Sequence, residues 1–524
     1  MRTNTLNQVI RSVLWSAFLL AALVACAQAP SKEAIVQNSQ PQETSNPTVA
    51  PATTTAESAL PRVLYVDDYG ADPYDDQADS QAIQKALGAL QSGETLLFTS
   101  DEGDGDYTGY LIDQTLFIVL RTSKNGVTLG STNPQLPARL LATEDLLGFV
   151  IRLYSRSLFG EPALLDNITL RDLYIDAGRE VRICAGYDQV GNGVDDNWGS
   201  WVTGECTFED DPWCHPGGIS LPGAVDFFDY DQDYESAPQA WTTGLTVDNL
   251  TITNVECGTA LGISGAESSI TNTTIDTAGE HTHVSGCQTT DSDGEMSRWS
   301  DGITFDGTAM TVEGNTIINA SDVGIVFFGG KDTHIRNNTV ISSEGNYGAF
   351  AGIAIHTWGF GDISGSEVVR NTVINESDET CGGIHAGINI GTHMWNAGCS
   401  GAAGAGTVGN PGTCSENPGP PQGTLCIVDE LCQIWAHIPP GESFTLAGNS
   451  VTGAHINYLI EGLDVQGDLK IEDNQSETPR ETCWHAAKYG CDNQSFQRTW
   501  GPLDFVAHHP SISGWTDQIV HCEW

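Results

Sequence analysis

The chain has 524 residues, with 21 Lys and Arg against 68 Asp and Glu, a net charge of −47. That balance excludes nucleic acid as a partner, because neutralising phosphates needs clustered cations. A single core rarely grows past roughly 250–300 residues, so the length calls for several domains or an elongated repeat. With 58 Gly, 39% hydrophobic and only 17% charged residues, the composition suits an all-β, turn-rich protein.

Residues 1–25 read as a signal peptide. Arg2 and Arg11 precede and flank the start of an apolar run from Val13 to Val24, which is too short to span a bilayer. The run ends Leu23-Val24-Ala25-Cys26, which resembles a bacterial lipobox. That resemblance implies cleavage before Cys26 and its lipidation. With Ala27 following, it implies an outer-membrane lipoprotein or another cell-surface position, tethered to the membrane through Cys26. Residues 26–60 carry Pro30, Pro41, Pro47 and Pro51 among small polar residues. They read as a disordered linker of roughly 30 Å root-mean-square reach. The chain has 14 Cys, most of them in two late clusters, Cys381–Cys432 and Cys483–Cys522. In an exported protein this predicts disulfides, and the absence of any CxxC pair speaks against zinc.

A folded domain is expected from Pro61. Val63 to Val66 has the pattern of a strand. Ala82, Ile83, Ala86, Leu87 and Leu90 then recur at helical spacing behind an N-cap at Asp79 or Ser80. The stretch Tyr69-Gly70-Ala71, Asp75-Asp76, Ala82-Ile83-Gln84-Lys85-Ala86 resembles the N-terminal entry of the pectate-lyase-like superfamily of right-handed parallel β-helices. The resemblance implies that this helix caps the open end of the solenoid.

Two repeated units carry the fold. Asn followed by Thr or Ser and an aliphatic appears at Asn315, Asn338, Asn371 and Asn449. One-residue-longer variants begin at Asn167, Asn249 and Asn272. Positions 249 and 272, and 315 and 338, are each 23 apart. Asn tolerates a left-handed backbone, so it is expected at a corner between strands, with one coil of a parallel β-helix per repeat. The second unit is Gly302-Ile303-Thr304-Phe305, Gly324-Ile325-Val326-Phe327, Gly352-Ile353-Ala354-Ile355 and Gly387-Ile388-Asn389-Ile390. A period of two turns the Ile and Phe inward. It turns Thr304, Val326, Ala354 and Asn389 outward, as the floor of an open groove, with Asp306, Phe328 and His356 in the next outward column. The β-helix is predicted over residues 61–478. Disulfide-rich loop insertions are expected at 183–243, 278–300 and 391–437, and a disulfide-tied C-terminal cap at 479–524.

The superfamily resemblance implies action on a long polysaccharide lying across the coils. Ser300-Asp301-Gly302-Ile303 resembles the "NTDG" element of polygalacturonase-type glycoside hydrolases. Ser321-Asp322-Val323-Gly324 resembles their "DD" element one coil on. Asp301 and Asp322 are thereby the candidate carboxylates that activate water. Val323 stands where that family has its general acid, and neither Gly-His-Gly nor Arg-Ile-Lys follows, so a true polygalacturonase is excluded. Asp306 and His356 share a column about 10 Å apart, Glu280 opens the neighbouring insertion, and each is a candidate for acid–base work. Asp301, Asp306 and Asp322 are expected to raise one another's pKa. Candidate substrate-binding residues are His283, Lys331 and Asn389, with Trp299, Trp358 and Trp395 as stacking faces for sugar rings. Asp229, Asp231, Asp233 and Glu235 alternate like the start of a calcium loop, as do Asp291, Asp293 and Glu295, so Ca2+ is a candidate cofactor. The expected function is glycoside hydrolysis by a monomer. The alternatives are a calcium-assisted lyase or uronate epimerase, and a surface protein that binds polysaccharide without cleaving it.

Overall fold

The computed structural model describes residues 62–101, 103, 107–118, 124–146, 148–153, 165–178, 224–227, 242–255, 258–279, 300–343, 349–355, 362–377, 383–391, 424–426, 432–434, 436–454, 456–461, 463–465, 467–477, 496–497, 505–508 and 521–522. All lie in the unit Leu60–Trp524. The signal peptide, Cys26 and the linker fall outside them, as do the side chains of all the cysteines. Among the described residues no helix is long and apolar enough to cross a membrane.

The chain winds through three parallel sheets in turn. Among the described residues sheet A has eleven strands, from Val63–Tyr65 to Asp468–Glu472, and sheets B and C have ten each. Sheet B runs from Tyr110–Ile112 to Gln475–Glu477, and sheet C from Leu116–Ile118 to Phe505–His508. One turn reads Thr311–Glu313 in sheet A, Thr316–Ala320 in B and Val323–Phe327 in C. Thr311 then pairs with His334, 23 residues on. This is a right-handed parallel β-helix, with the period that the sequence repeats carry.

Its core is built one residue per rung. In sheet A the inward column includes Leu170, Val247, Ile270, Val312 and Ile335, each paired with the next and at most 1% exposed. In sheet C, Phe305 and Phe327 stack with ring centroids 5.0 Å apart. The Gly of the Gly-Ile unit is set by space. A Cβ on Gly324 would lie 2.5 Å from Val340 Cγ1 and 2.6 Å from the Gly352 carbonyl oxygen, and Gly302, Gly352 and Gly387 meet the same obstruction. Sheet C therefore presses onto the β-branched column of sheet B, and only Gly fits between them.

At the N-terminal end, helix Ser80–Ala89 buries Ile83, Ala86 and Leu87. Asp79 precedes it but does not cap its amides. Its carboxylate instead accepts Asp72 N–H at 2.8 Å and Leu111 N–H at 2.9 Å, tying the entry loop to sheet B. Burial pushes this carboxyl up to about 6.

The corner between sheets A and B corrects the expectation for Asn. Asn315, Asn338, Asn371 and Asn449 are not the left-handed residues; Gly314, Asn337, Arg370 and Gly448, one position earlier, are. The four Asn, with Asn474, point inward as a ladder. Asn338 donates its amide to Asn371 Oδ1 at 3.0 Å and to Val312 O at 2.9 Å, and Asn371 repeats this onto Asn449 and Ile335. In the longer variants Asn167, Asn249 and Asn272 do hold positive φ. The ladder position of the last two is then filled by Leu250 and Thr273. The one-residue offset in the sequence marks two different jobs for the same residue type.

Two expected boundaries also shift. Val225–Phe227, inside the first expected insertion, is a strand of sheet C paired with Leu261–Ile263. Phe505–His508, inside the expected cap, extends sheet C beyond Tyr458–Glu461.

Candidate functional site

Asp301 and Asp322 are brought together where sheet C begins. Asp301 is the second residue of strand Ser300–Thr308, and Asp322 lies in the corner just before Val323–Phe327 on the next coil. Ser300 N–H donates to Ser321 Oγ, and Asp322 N–H to Ser300 O, both at 3.0 Å. Strict alternation from Ile303 would turn Asp301 into the core. Instead the Cβ direction of Gly302 points at Ile317, and Ile303 also faces inside. Asp301 and Thr304, three residues apart, therefore share the outer side.

Asp301 is 9% exposed. Its Oδ2 accepts Thr304 Oγ1–H at 2.8 Å and its Oδ1 accepts Val323 N–H at 3.1 Å. Thr259, its register neighbour on the preceding coil, reaches Thr304 with hydroxyl oxygens 2.9 Å apart. Burial, together with the charge of Asp322, pushes the Asp301 carboxyl well above the usual range, against those two hydrogen bonds. The site thus holds a carboxyl whose charged form is disfavoured beside a second, half-buried carboxyl on the next coil.

Asp306 is not part of this pair. It lies five extended residues further along the strand, roughly 16 Å away, opposite Ser264, and is 2% exposed. The expectation that three aspartates act on one another narrows to two, because the strand carries Asp306 to its far end. Lys331 also lies apart, beyond the end of Val323–Phe327. Its ammonium binds Asp362 Oδ2 at 2.5 Å, a bond that raises its pKa. Asn389 is in register with Ala354, as expected.

The expected open groove is overturned. Thr304, Val326, Ala354 and Asn389 are 6%, 0%, 0% and 0% exposed. Apolar side chains such as Val326 and Ala354 on an outer face are stable when covered, and both are fully buried. Glu280, His283, Trp299, His356, Trp358 and Trp395 also lie outside the described residues, as do both acidic calcium-loop candidates. Among the described residues no three His, Cys, Asp or Glu converge as a metal site.

Sequence reasoning missed Thr259, Thr304 as a partner of Asp301, and Arg152. Arg152 pairs in register with Asp226, and Asp226 with Gly262, so Arg152 stands in the Thr304 column three coils earlier. The Gly302 irregularity hid Thr304, and the short strand Ile151–Leu153 hid Arg152.

Residues 231–394 match the family model described as the right handed beta helix region. No curated protein is similar in sequence. Solved structures similar in fold include the surface adhesin PfbA of Streptococcus pneumoniae, at 13% identity over 80% of this chain and 91% of that one, with a TM-score of 0.38. The tailspike protein of E. coli bacteriophage HK620 in complex with a pentasaccharide is 12% identical over 79% and 65%, at 0.38. A family 28 exopolygalacturonase of Yersinia enterocolitica is 12% identical over 80% and 78%, at 0.35. The register of three stacked parallel sheets and the match over residues 231–394 agree on the fold, a right-handed parallel β-helix.

Proposed function

We propose that the protein is an exported enzyme that hydrolyses glycosidic bonds of an extracellular polysaccharide, with Asp301 as general acid and Asp322 as general base. The observation that carries this reading is the contrast within the pair. Asp301 is buried, with burial and the charge of Asp322 raising its carboxyl pKa, while Asp322 on the adjoining coil is only half-buried, and such a difference in environment supports acid and base roles in that order. Asp301 gives its proton to the glycosidic oxygen as the bond to the anomeric carbon breaks. Asp322 takes a proton from the water that attacks that carbon. Cys26 tethers the enzyme to the cell surface, and the enzyme acts as a monomer.

A lyase or uronate epimerase is the second reading. Arg152 favours it, as a cation on the outer column of sheet C that would neutralise a uronate carboxylate, with calcium assisting. A panel of neutral and acidic polysaccharides, assayed with and without chelator, separates the two. A lyase product absorbs in the ultraviolet through its new double bond, whereas a hydrolase product shows only new reducing ends. Asp301→Asn and Asp322→Asn should each lower kcat by about 10²–10⁴ on whichever polymer is cleaved. Unchanged rates in both variants would remove the assignment, and binding without cleavage by the native protein would leave a surface binder.

A further inference from the structure

We propose that Thr304, held in place by Thr259, is a positioning residue that fixes the Asp301 carboxyl between the preceding and the following coil. The inference rests on the acid–base reading above for its catalytic meaning, but its geometry stands independently. Three successive coils meet at this carboxyl. Val323 N–H, from the following coil, donates to Oδ1 at 3.1 Å. Thr304 Oγ1, from the same strand, donates to Oδ2 at 2.8 Å. Thr259, from the preceding coil, lies 2.9 Å from Thr304 Oγ1. A hydroxyl has one proton. With the Thr304 proton directed at Asp301, the Thr259 hydroxyl is the donor between the two threonines.

Two donors on different oxygens fix both the plane and the rotation of the carboxyl group. Each oxygen keeps one further lone-pair position, and there the transferable proton resides. Thr304 is 6% exposed and Thr259 4%, so water does not readily replace either hydroxyl. After the proton has left, the same two donors face a full carboxylate, where a hydrogen bond is stronger than to the neutral acid. Thr304 therefore favours the state that follows proton transfer, against burial and the charge of Asp322. A valine at 304 keeps the shape and removes the donor. A serine keeps the donor and removes a methyl group.

The test compares Thr304→Val, Thr304→Ser and Thr259→Val in the full-length protein. Carboxyl carbons of labelled aspartate are followed by NMR across pH, with Asp301 assigned by its loss in Asp301→Asn. Thr304→Val should move the Asp301 titration upward by about one pH unit or more, and Thr304→Ser by no more than a few tenths. Thr259→Val leaves both bonds to the carboxyl in place and should shift it in the same direction by less. In turnover, Thr304→Val should lower kcat about tenfold or more with KM little changed. The alkaline limb of its pH–rate profile should move up with the titration, and Thr304→Ser should restore both. Equal titrations in the valine and serine variants overturn the proposal. Should Thr304→Val fail to fold, an unshifted titration in Thr259→Val overturns it instead. Full activity in Asp301→Asn would remove the assigned reaction, while the titrations would still decide the role of Thr304.

Discussion

Two buried polar rows run from coil to coil in this β-helix, and they differ in kind. The row at the corner of sheets A and B is made of neutral amides. Asn315, Asn338, Asn371, Asn449 and Asn474 each satisfy the next, with main-chain N–H and side-chain amide both donating to one Oδ1. The cluster at the start of sheet C contains carboxylates. Asp301 is buried beside another acid, and its charged form is disfavoured even with two donors on it. An amide carries donor and acceptor on one group, so identical amides stacked about 4.8 Å apart complete one another. A carboxylate has only acceptors, so its stacking brings like charges together. The first row stabilises the rod. The second is unfavourable for folding and chemically poised, which is the expected mark of a functional site.

The largest effects should separate the rows by assay. Asp301→Asn should abolish nearly all turnover, by about 10²–10⁴ in kcat, while leaving thermal stability at neutral pH equal or higher. A loss of stability as large as that from a ladder variant would return Asp301 to the structural class. Asn371→Ala should do the reverse. It removes bonds to Ile335 O and Asn449 and strands the donors of Asn338. Each buried group left without a partner costs about 1–3 kcal/mol, so a loss of roughly 3 kcal/mol or more is expected in chemical denaturation, with kcat of the folded fraction unchanged.

These rows were unequally legible in the sequence. The Gly-Ile-x-Phe register and the 23-residue spacing predict stacked coils of a parallel β-helix, because rungs of constant length must repeat the inward residue. Asn recurs in both settings, and its two jobs look alike in the sequence because left-handed corners and ladder positions favour the same residue type. The offset between Asn249-Leu250-Thr251-Ile252 and Asn315-Thr316-Ile317 was the available signal. The pairing of Asp301 with Asp322 followed from resemblance to a known motif. Thr304 did not follow, because Gly302 and Ile303 both face inside and break the period of two that sequence reasoning relies on. Val326 and Ala354 are small enough to suit a groove floor, but they are apolar and fully buried on the outer column.

The pH dependence of stability sharpens the contrast further. The folded-state pKa of Asp301 is raised, so the folded protein keeps a proton that the unfolded chain releases. That contribution is complete below the ordinary aspartate value of about 3.9 and is lost as pH rises through the folded-state value. The native protein should therefore lose stability as pH climbs from about 4. Asp301→Asn should flatten that part of the slope, whereas Asn371→Ala should lower the whole curve without changing its slope there. Parallel curves for the native protein and Asp301→Asn would contradict the carboxyl's assigned state. Asp79, raised to about 6, contributes a slope of the same sign that both variants retain.

The smallest expected effect tests whether the ladder is modular. Thr273 occupies the ladder position one coil before Asn315, is fully buried, and donates its N–H to Asn315 Oδ1 at 2.9 Å. Its hydroxyl is turned back to Thr271 O. An Asn at 273 would add a side-chain amide aimed at Asn315 Oδ1, as Asn315 itself aims at Asn338. Thr273→Asn should therefore be neutral or stabilising by up to about 1 kcal/mol. Thr273→Asp is nearly the same size but has no donor to offer Asn315, and buries a charge in its place. It should be destabilised relative to Thr273→Asn, most at neutral pH and least in acid, where a protonated Asp regains one donor. Equal melting temperatures for the two at neutral pH would mean that the corner tolerates a carboxylate as readily as an amide. The difference between the two rows would then lie in the charge of Asp322 rather than in the chemistry of the stacked groups.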